Sequence, residues 1–354
     1  MINLQKVEAG EKFSRTNDMY RTADFFAGVG GVRLGFEKAG FETVFSNDFD
    51  PYCKVTFDFN SKNIKQTCAD IRTLSARKIP EFDILAGGFP CQAFSVAGYR
   101  QGFRDGQGRG NLFFELARII EEAKSPPRAV FLENVKNLLG HDNGKTYKVV
   151  KQTLELLGYH VTEAVLNSMD YGNVPQTRER IFIVGFLSPD AFANFDWPQK
   201  VKLTKCFRDL LQTGKIPDKY YYNGKPLYAK LRKDVTKEST VYQWRRKYVR
   251  ENKKGVCPTL TANMGTGGHN VPIILDGSGI RKFTPRECFQ LQAFPPRFKL
   301  PEMADSRLYK QAGNSVTVSV IHRIATNIKS ALDGRSLKNP LDLDLFQHAV
   351  RFNA

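Results

Sequence analysis

Between residues 20 and 186 the apolar positions fall into two alternating patterns. "RTADFFAG", "FETVFSND", "FDILAGG", "RAVFLENV", "HVTEAVLN" and "RIFIVGF" are short apolar runs and read as buried strands. "GVRLGFEKAG", "NLFFELARIIEEAK" and "TYKVVKQTLELLG" carry apolar residues at three- and four-residue spacing and read as helices, the first closed by Gly40. Strand–helix alternation predicts an α/β fold, a parallel-rich sheet with helices on both faces. The pattern stops near "FDWPQK", 195–200, and does not clearly resume. Farther on, "NSVTVSVIHRIATNIKSAL", 314–332, reads as one amphipathic helix whose apolar face needs the first domain as its partner. The expected organisation is a catalytic and cofactor-binding domain from 1–195 plus 313–354, a second, smaller domain over 196–279 and a hinge segment over 280–312.

Composition narrows this picture. A chain of 354 residues can bury a large core without disulfide or metal staples. No apolar run approaches the length of a membrane span, and "MINLQKVEAGEKFSRTNDMY" lacks the apolar core of a secretory signal, so no membrane association and a cytoplasmic location are expected. The six cysteines form no C-x-x-C pair, which argues against zinc and a disulfide framework; no metal is expected, and most of the six read as small buried hydrophobes. The net charge of +17 is uneven: Lys200 to Lys254 holds 17 Lys/Arg against 5 Asp/Glu, interleaved with Tyr220, Tyr221, Tyr222, Tyr228, Tyr242, Trp244 and Tyr248. Such a mixture suits a phosphate backbone with stacked or splayed bases; the bland reading is a solvated surface.

The candidate chemistry sits at predicted strand ends. "DFFAGVGG" places glycines at 28, 30 and 31 but Arg at 33, so the third glycine of a dinucleotide fingerprint is missing. Asp48, twenty residues after Gly28 at the tip of the second strand, is placed to accept hydrogen bonds from ribose hydroxyls. Asp70, at the expected tip of a third strand, can read an adenine amino group. A nucleoside site without a pyrophosphate cradle points away from NAD and toward S-adenosylmethionine. Cys91 follows a proline at the end of "FDILAGG", Glu133 ends "FLENV", and Arg178 and Arg180 precede "IFIVGF". A thiol, a carboxyl and guanidinium groups at neighbouring strand ends can act together on one planar heterocycle. Singly, each also reads as a buried Cys, a helix-capping Glu or a salt-bridged Arg.

In this order the motifs resemble the DNA cytosine-5 methyltransferase family of the bacterial modification type. Pro90-Cys91-Gln92, Glu133-Asn134-Val135, Gln176-x-Arg178-x-Arg180 and Phe26-Ala27-Gly28-Val29-Gly30-Gly31 carry the likeness, with "RKFTPRECFQLQAFP" and "GNSV" near the end. It covers roughly 20–195 and 280–330, and the segment between falls where the family keeps its variable target-recognition domain. The resemblance implies a Rossmann-like S-adenosylmethionine-dependent methyltransferase sheet acting on carbon 5 of cytosine in a specific double-stranded DNA sequence. It also implies a flipped-out target base and a restriction–modification setting, with an endonuclease as functional partner and the protein itself a monomer. By the same likeness Cys91 adds to carbon 6 and Glu133 protonates N3. Arg180 binds the cytosine O2, and Arg178 holds nearby phosphate or the site itself. Phe26, Ala27, Gly28, Gly30, Gly31, Asp48, Phe49, Asp70, Ile71, Pro90, Leu112, Asn314 and Ser315 are the implied cofactor contacts. Ser95, Arg109, Thr259 and Thr261 are the implied DNA contacts, the first two in a closing loop and the last two in "TLTANMGTGG". Rival readings are a tRNA cytosine-5 methyltransferase of the same superfamily and, from another class, a nicotinamide-dependent oxidoreductase.

Overall fold

A computed structural model describes residues 19–90, 112–266 and 270–336. Cys91, Ser95 and Arg109 lie outside the described residues. In chain order the elements are β1 (Arg21–Phe25), α1 (Gly31–Lys38), β2 (Glu42–Asp48), α2 (Pro51–Phe59), β3 (Thr67–Cys68), β4 (Ile84–Gly87), α3 (Leu112–Glu122), β5 (Ala129–Val135), α4 (Lys145–Leu156) and β6 (His160–Asn167). Then follow α5 (Ser168–Tyr171), β7 (Gln176–Thr177), β8 (Glu179–Phe186), α6 (Pro189–Asn194), α7 (Tyr228–Leu231), β9 (Val241–Trp244), β10 (Val249–Asn252), β11 (Cys257–Pro258), β12 (Val271–Asp276), β13 (Gly279–Lys282), α8 (Pro285–Gln290), α9 (Asp305–Asn314) and α10 (Val318–Leu332).

Seven strands form the larger sheet in the order β3-β2-β1-β4-β5-β8-β6. β3, β2, β1, β4 and β5 pair in parallel, whereas β8 runs antiparallel to both its neighbours. The link from β6 to β8 is too short for a helical crossover, so β8 has to return in the opposite direction. That reversal matters for chemistry, because it brings the first residues of β8 to the edge where β5 ends: Val135 pairs with Arg180 and Glu133 with Phe182.

Each face of the sheet buries its own core. On one, Phe25, Leu85, Val130 and Ile181 pack against Phe113 and Leu116 of α3 and Val150 and Leu154 of α4. On the other, Phe131, Phe182 and Val184 pack against Phe36 of α1 and Ile321, Ile324 and Ile328 of α10. The C-terminal helix therefore closes the first layer, as its amphipathicity requires. It starts later than its apolar pattern suggests: α9 ends at Asn314, Ser315 is extended (φ −74°, ψ 168°), and α10 begins at Val318.

A second, antiparallel sheet has the order β10-β9-β12-β13. Its strands are short, and no alternation in the sequence announced them. The stretch from 280, expected as a hinge, begins inside this sheet: Ile273 pairs with Lys282, and Arg281 is buried against Glu287 of α8 and Asp276. Phe283, Phe289 and Phe298 of that stretch share one core with Phe207, Leu260 and Tyr309. β7 and β11 make a small parallel ladder, Gln176 opposite Cys257, which joins the two halves.

Every Lys and Arg from 200 to 254 is exposed, but the aromatic residues among them are mostly not. Tyr220 and Tyr242 are core residues, and the Tyr242 hydroxyl accepts from the Thr236 and Lys237 amides; Tyr248 alone of the seven is exposed. The expected stacking platform is therefore largely the core of the small sheet, since a small domain must spend its large apolar side chains on burial. Of the five described cysteines only Cys257 and Cys288 are buried, so most are not the small core residues expected; Cys68 and Cys206 are exposed.

Candidate active site

The C-terminal edge of the larger sheet opens into a cavity of about 560 Å³, a size suited to a nucleoside-sized ligand. The turn after β1 forms one wall. Phe26 (φ +53°) takes a left-handed conformation uncommon for a residue with a side chain, and Gly28 (φ +54°) and Gly30 (φ +88°) follow it. Local strain of this kind persists where the surroundings fix it. Here the Ala27 amide donates to the Asn47 carbonyl (3.0 Å) and the Gly28 amide to Asp48 Oδ2 (2.8 Å). The glycines serve different ends. A Cβ on Gly28 would meet open space on the cavity side, whereas one on Gly31 would press on Val316 and Ser315. Gly30, expected as a cofactor contact, does not line the cavity; its positive φ caps α1, and a Cβ there would crowd Phe57 and Arg33.

Two carboxyls support this turn, Asp48 half-buried and Asp24 fully buried. Asp48 accepts from the Gly28 and Asp50 amides, and burial pushes its carboxyl upward against those two hydrogen bonds. Asp24, fully buried on β1, accepts from the Arg33 amide in the first turn of α1, and burial raises its pKa to about 8. It caps α1 from outside, since Gly30 offers no capping side chain. Asp70 sits two residues past β3 rather than at its tip, capping the following short turn and ion-paired with Arg72.

Phe49, Ile71, Pro90 and Leu112 line the same cavity, together with Asn314 and Ser315 from the far end of the chain. Lys310, Gln311 and Cys53 also line it and carried no motif in the sequence; Lys310 pairs with Asp50 (2.9 Å). Each described basic side chain on this wall is already engaged: Arg72 by Asp70, Lys310 by Asp50, Arg180 by Glu133, and Arg178 by backbone carbonyls. A pyrophosphate would find no free cation among them. An uncharged ribose and a cationic sulfonium suit the site better.

At the other end of the cavity Glu133 Oε1 lies 3.0 Å from Arg180 Nε, both side chains largely buried. Gly88 gives the second carboxyl oxygen its room, because a Cβ there would stand 3.2 Å from Glu133 Oε2. Next to it, buried Asn134 donates to the Phe89 carbonyl (2.8 Å), which fixes the chain one residue before Pro90. Cys91 is bonded directly to Pro90.

Arg178 departs from one of its two expected roles. Its guanidinium is buried and donates to the carbonyls of Leu260 (3.0 Å), Gly313 (3.1 Å) and Ser315 (2.5 Å), so it is not presented to a phosphate. Burial holds its pKa well below the usual guanidinium range. Thr259 and Thr261 are likewise engaged within the protein, Thr259 donating to the Thr177 carbonyl and Thr261 to Asn263. No group of His, Cys, Asp and Glu suited to a metal occurs among the described residues, and no helix among them is long and apolar enough to cross a membrane.

Comparison with known proteins agrees with this geometry. The family model described as C-5 cytosine-specific DNA methylase matches residues 20–330. The chain is 53% identical over 318 residues to the type II methyltransferase M.Bsp6I of Bacillus sp. (strain RFL6), covering 89% of this chain and 100% of that protein. It is 38% identical to the type II methyltransferase M.HhaI of Haemophilus parahaemolyticus, over 88% of this chain and 95% of the relative. In fold it resembles the crystal structure of S. pombe Dnmt2 methyltransferase, with a TM-score of 0.68, 19% identity and coverage of 89% and 99% of the two chains.

Proposed function

The chain belongs to the C-5 cytosine-specific DNA methylase family, and we propose that it methylates one specific double-stranded DNA sequence through a covalent adduct on Cys91. It is a DNA (cytosine-5-)-methyltransferase that uses S-adenosyl-L-methionine, and its relatives are type II enzymes. This sets aside the oxidoreductase and tRNA readings. When bound, S-adenosyl-L-methionine supplies an electrophilic methyl group. Asp48 would hold the ribose hydroxyls, while Phe26, Phe49, Ile71 and Leu112 would flank the adenine. Asp70 would read its amino group, and Ala27, Gly28, Pro90, Asn314 and Ser315 would close the remaining walls.

Carbon 5 of cytosine is a weak nucleophile. In the proposed step the Cys91 thiolate forms a bond to carbon 6, the carbon 5–carbon 6 π electrons shift through carbon 4 toward N3, and Glu133, entering the step as the neutral acid, delivers its proton there and becomes a carboxylate beside Arg180. Arg180 steadies O2. After carbon 5 has gained its methyl group, a base takes the carbon 5 proton, the double bond re-forms as the carbon 6–sulfur bond breaks and expels the thiolate, and N3 returns its proton to Glu133. The target base must leave the duplex, at a cost of a few kcal/mol. The segment from Ser95 to Arg109 would close over it, and 196–279, with 280–312 joining it to the rest, would serve as the target-recognition domain. Pairing with a restriction endonuclease belongs to the same proposal.

The observation that carries this reading is the Glu133–Arg180 pair standing beside Pro90 on the wall of the Asp48 cavity. Bisulfite sequencing of DNA from cells expressing the protein tests it. Protected cytosines at one recurring sequence are expected, and their absence, with folded protein present, would contradict specific methylation.

A further inference from the structure

The contacts of Arg178 reach two segments that different ligands would touch. Leu260 opens the stretch 260–266 of the region read here as DNA-facing, whereas Gly313 and Ser315 belong to the cavity wall. One guanidinium, fully buried, donates to both. Around it the packing leaves no slack. Gly313 lies against the Thr261–Ala262 backbone so closely that a Cβ would be driven into the Thr261 carbonyl. The Leu260 amide donates to Gln176 Oε1 (3.0 Å), and the Gln176 amide group reaches Leu291 O and Gln292 Oε1. Gln292 in turn donates to Ala312 O and Ser315 O. Moving Leu260 away from Gly313 would leave buried donors or carbonyls without partners, so the two segments are held to one arrangement.

We propose that Arg178 is a positioning residue that couples DNA engagement to cofactor binding, by tying the 260–266 stretch to the 313–315 wall. DNA that fixes the first segment then prepares the second, and by linkage the cofactor favours DNA binding by the same factor. The proposal rests on the function given above, since it needs both ligands.

The test measures affinity for a duplex first shown to be methylated by the wild-type protein, with and without S-adenosylhomocysteine, and the reverse by calorimetry. Wild type is expected to show a reciprocal gain of about tenfold. Arg178→Lys and Arg178→Gln, with the fold checked by circular dichroism, are expected to bring that factor to within about twofold of unity while each ligand still binds alone. A folded variant that keeps the wild-type factor, or a wild-type protein with no factor, would overturn the coupling. Should neither variant fold, hydrogen exchange on the wild type decides. S-adenosylhomocysteine alone should slow exchange in 257–266, and an unchanged segment would overturn the proposal. Failure of the wild type to bind either ligand at all would instead remove the functional reading beneath it.

Discussion

Asp24 and Asp48 both place a carboxyl in the support of one strained turn. Asp24 titrates near pH 8 in the folded protein and near 4 unfolded. Between those values the native state binds more protons than the unfolded one, so this residue's share of stability is fullest below about pH 4 and is lost as pH rises toward 8. Asp24→Asn keeps an acceptor for the Arg33 amide and removes the titration. Denaturant midpoints followed from pH 5 to pH 8.5 should fall less steeply in Asp24→Asn than in wild type; parallel curves would refute the assignment. Asp48→Ala should weaken S-adenosylmethionine binding while leaving cofactor-free DNA binding nearly intact, as calorimetry with each ligand would show. Equal loss of both would make Asp48 a fold residue. Asp48 was legible because a strand, a glycine turn and an acid at fixed spacing are local signals. The acceptors of Arg178 were not, since they lie 82 to 137 residues away, and no local pattern encodes which carbonyls a guanidinium will meet.

At the scale of elements, the hairpin of β9 and β10 offers the sharpest test of the basic segment. Its tip, 245–248, carries Arg245, Arg246 and Lys247, all exposed, with Arg246 in the left-handed region (φ +66°). Replacing these three by glutamine should weaken DNA binding and reduce the slope of log K against log salt by up to about 3. An unchanged slope would mean that the tip faces away from the duplex. The central strands of the larger sheet were readable because β4, β5 and β8, covered on both faces, are nearly continuous apolar runs. The smaller sheet was not: three of its four strands have only four residues, too few to show an alternation, and only β12 is a longer apolar run. The break between α9 and α10 was hidden for a related reason. Val316 and Val318 continue the apolar pattern across Ser315, where the backbone leaves the helix to reach the cavity.

For the whole molecule, one sheet edge gathers residues from distant parts of the chain: a glycine turn after β1, Pro90 after β4, Glu133 on β5, Arg180 on the reversed β8, and Asn314 and Ser315 between α9 and α10. In the proposed function this edge serves a covalent reaction of Cys91 with cytosine. Release from such an adduct requires loss of the proton on carbon 5, and a duplex with 5-fluorocytosine at the target position has fluorine there, which cannot leave as a cation. Incubating that duplex with the protein and S-adenosyl-L-methionine, then resolving the products under denaturing conditions, tests the claim directly. A protein–DNA species that survives denaturation and maps to Cys91 is expected. It should form much more slowly with Glu133→Gln and little or not at all with Cys91→Ser, whose hydroxyl stays protonated near neutral pH. No adduct, on a duplex sequence that the wild-type protein demonstrably methylates, would contradict it.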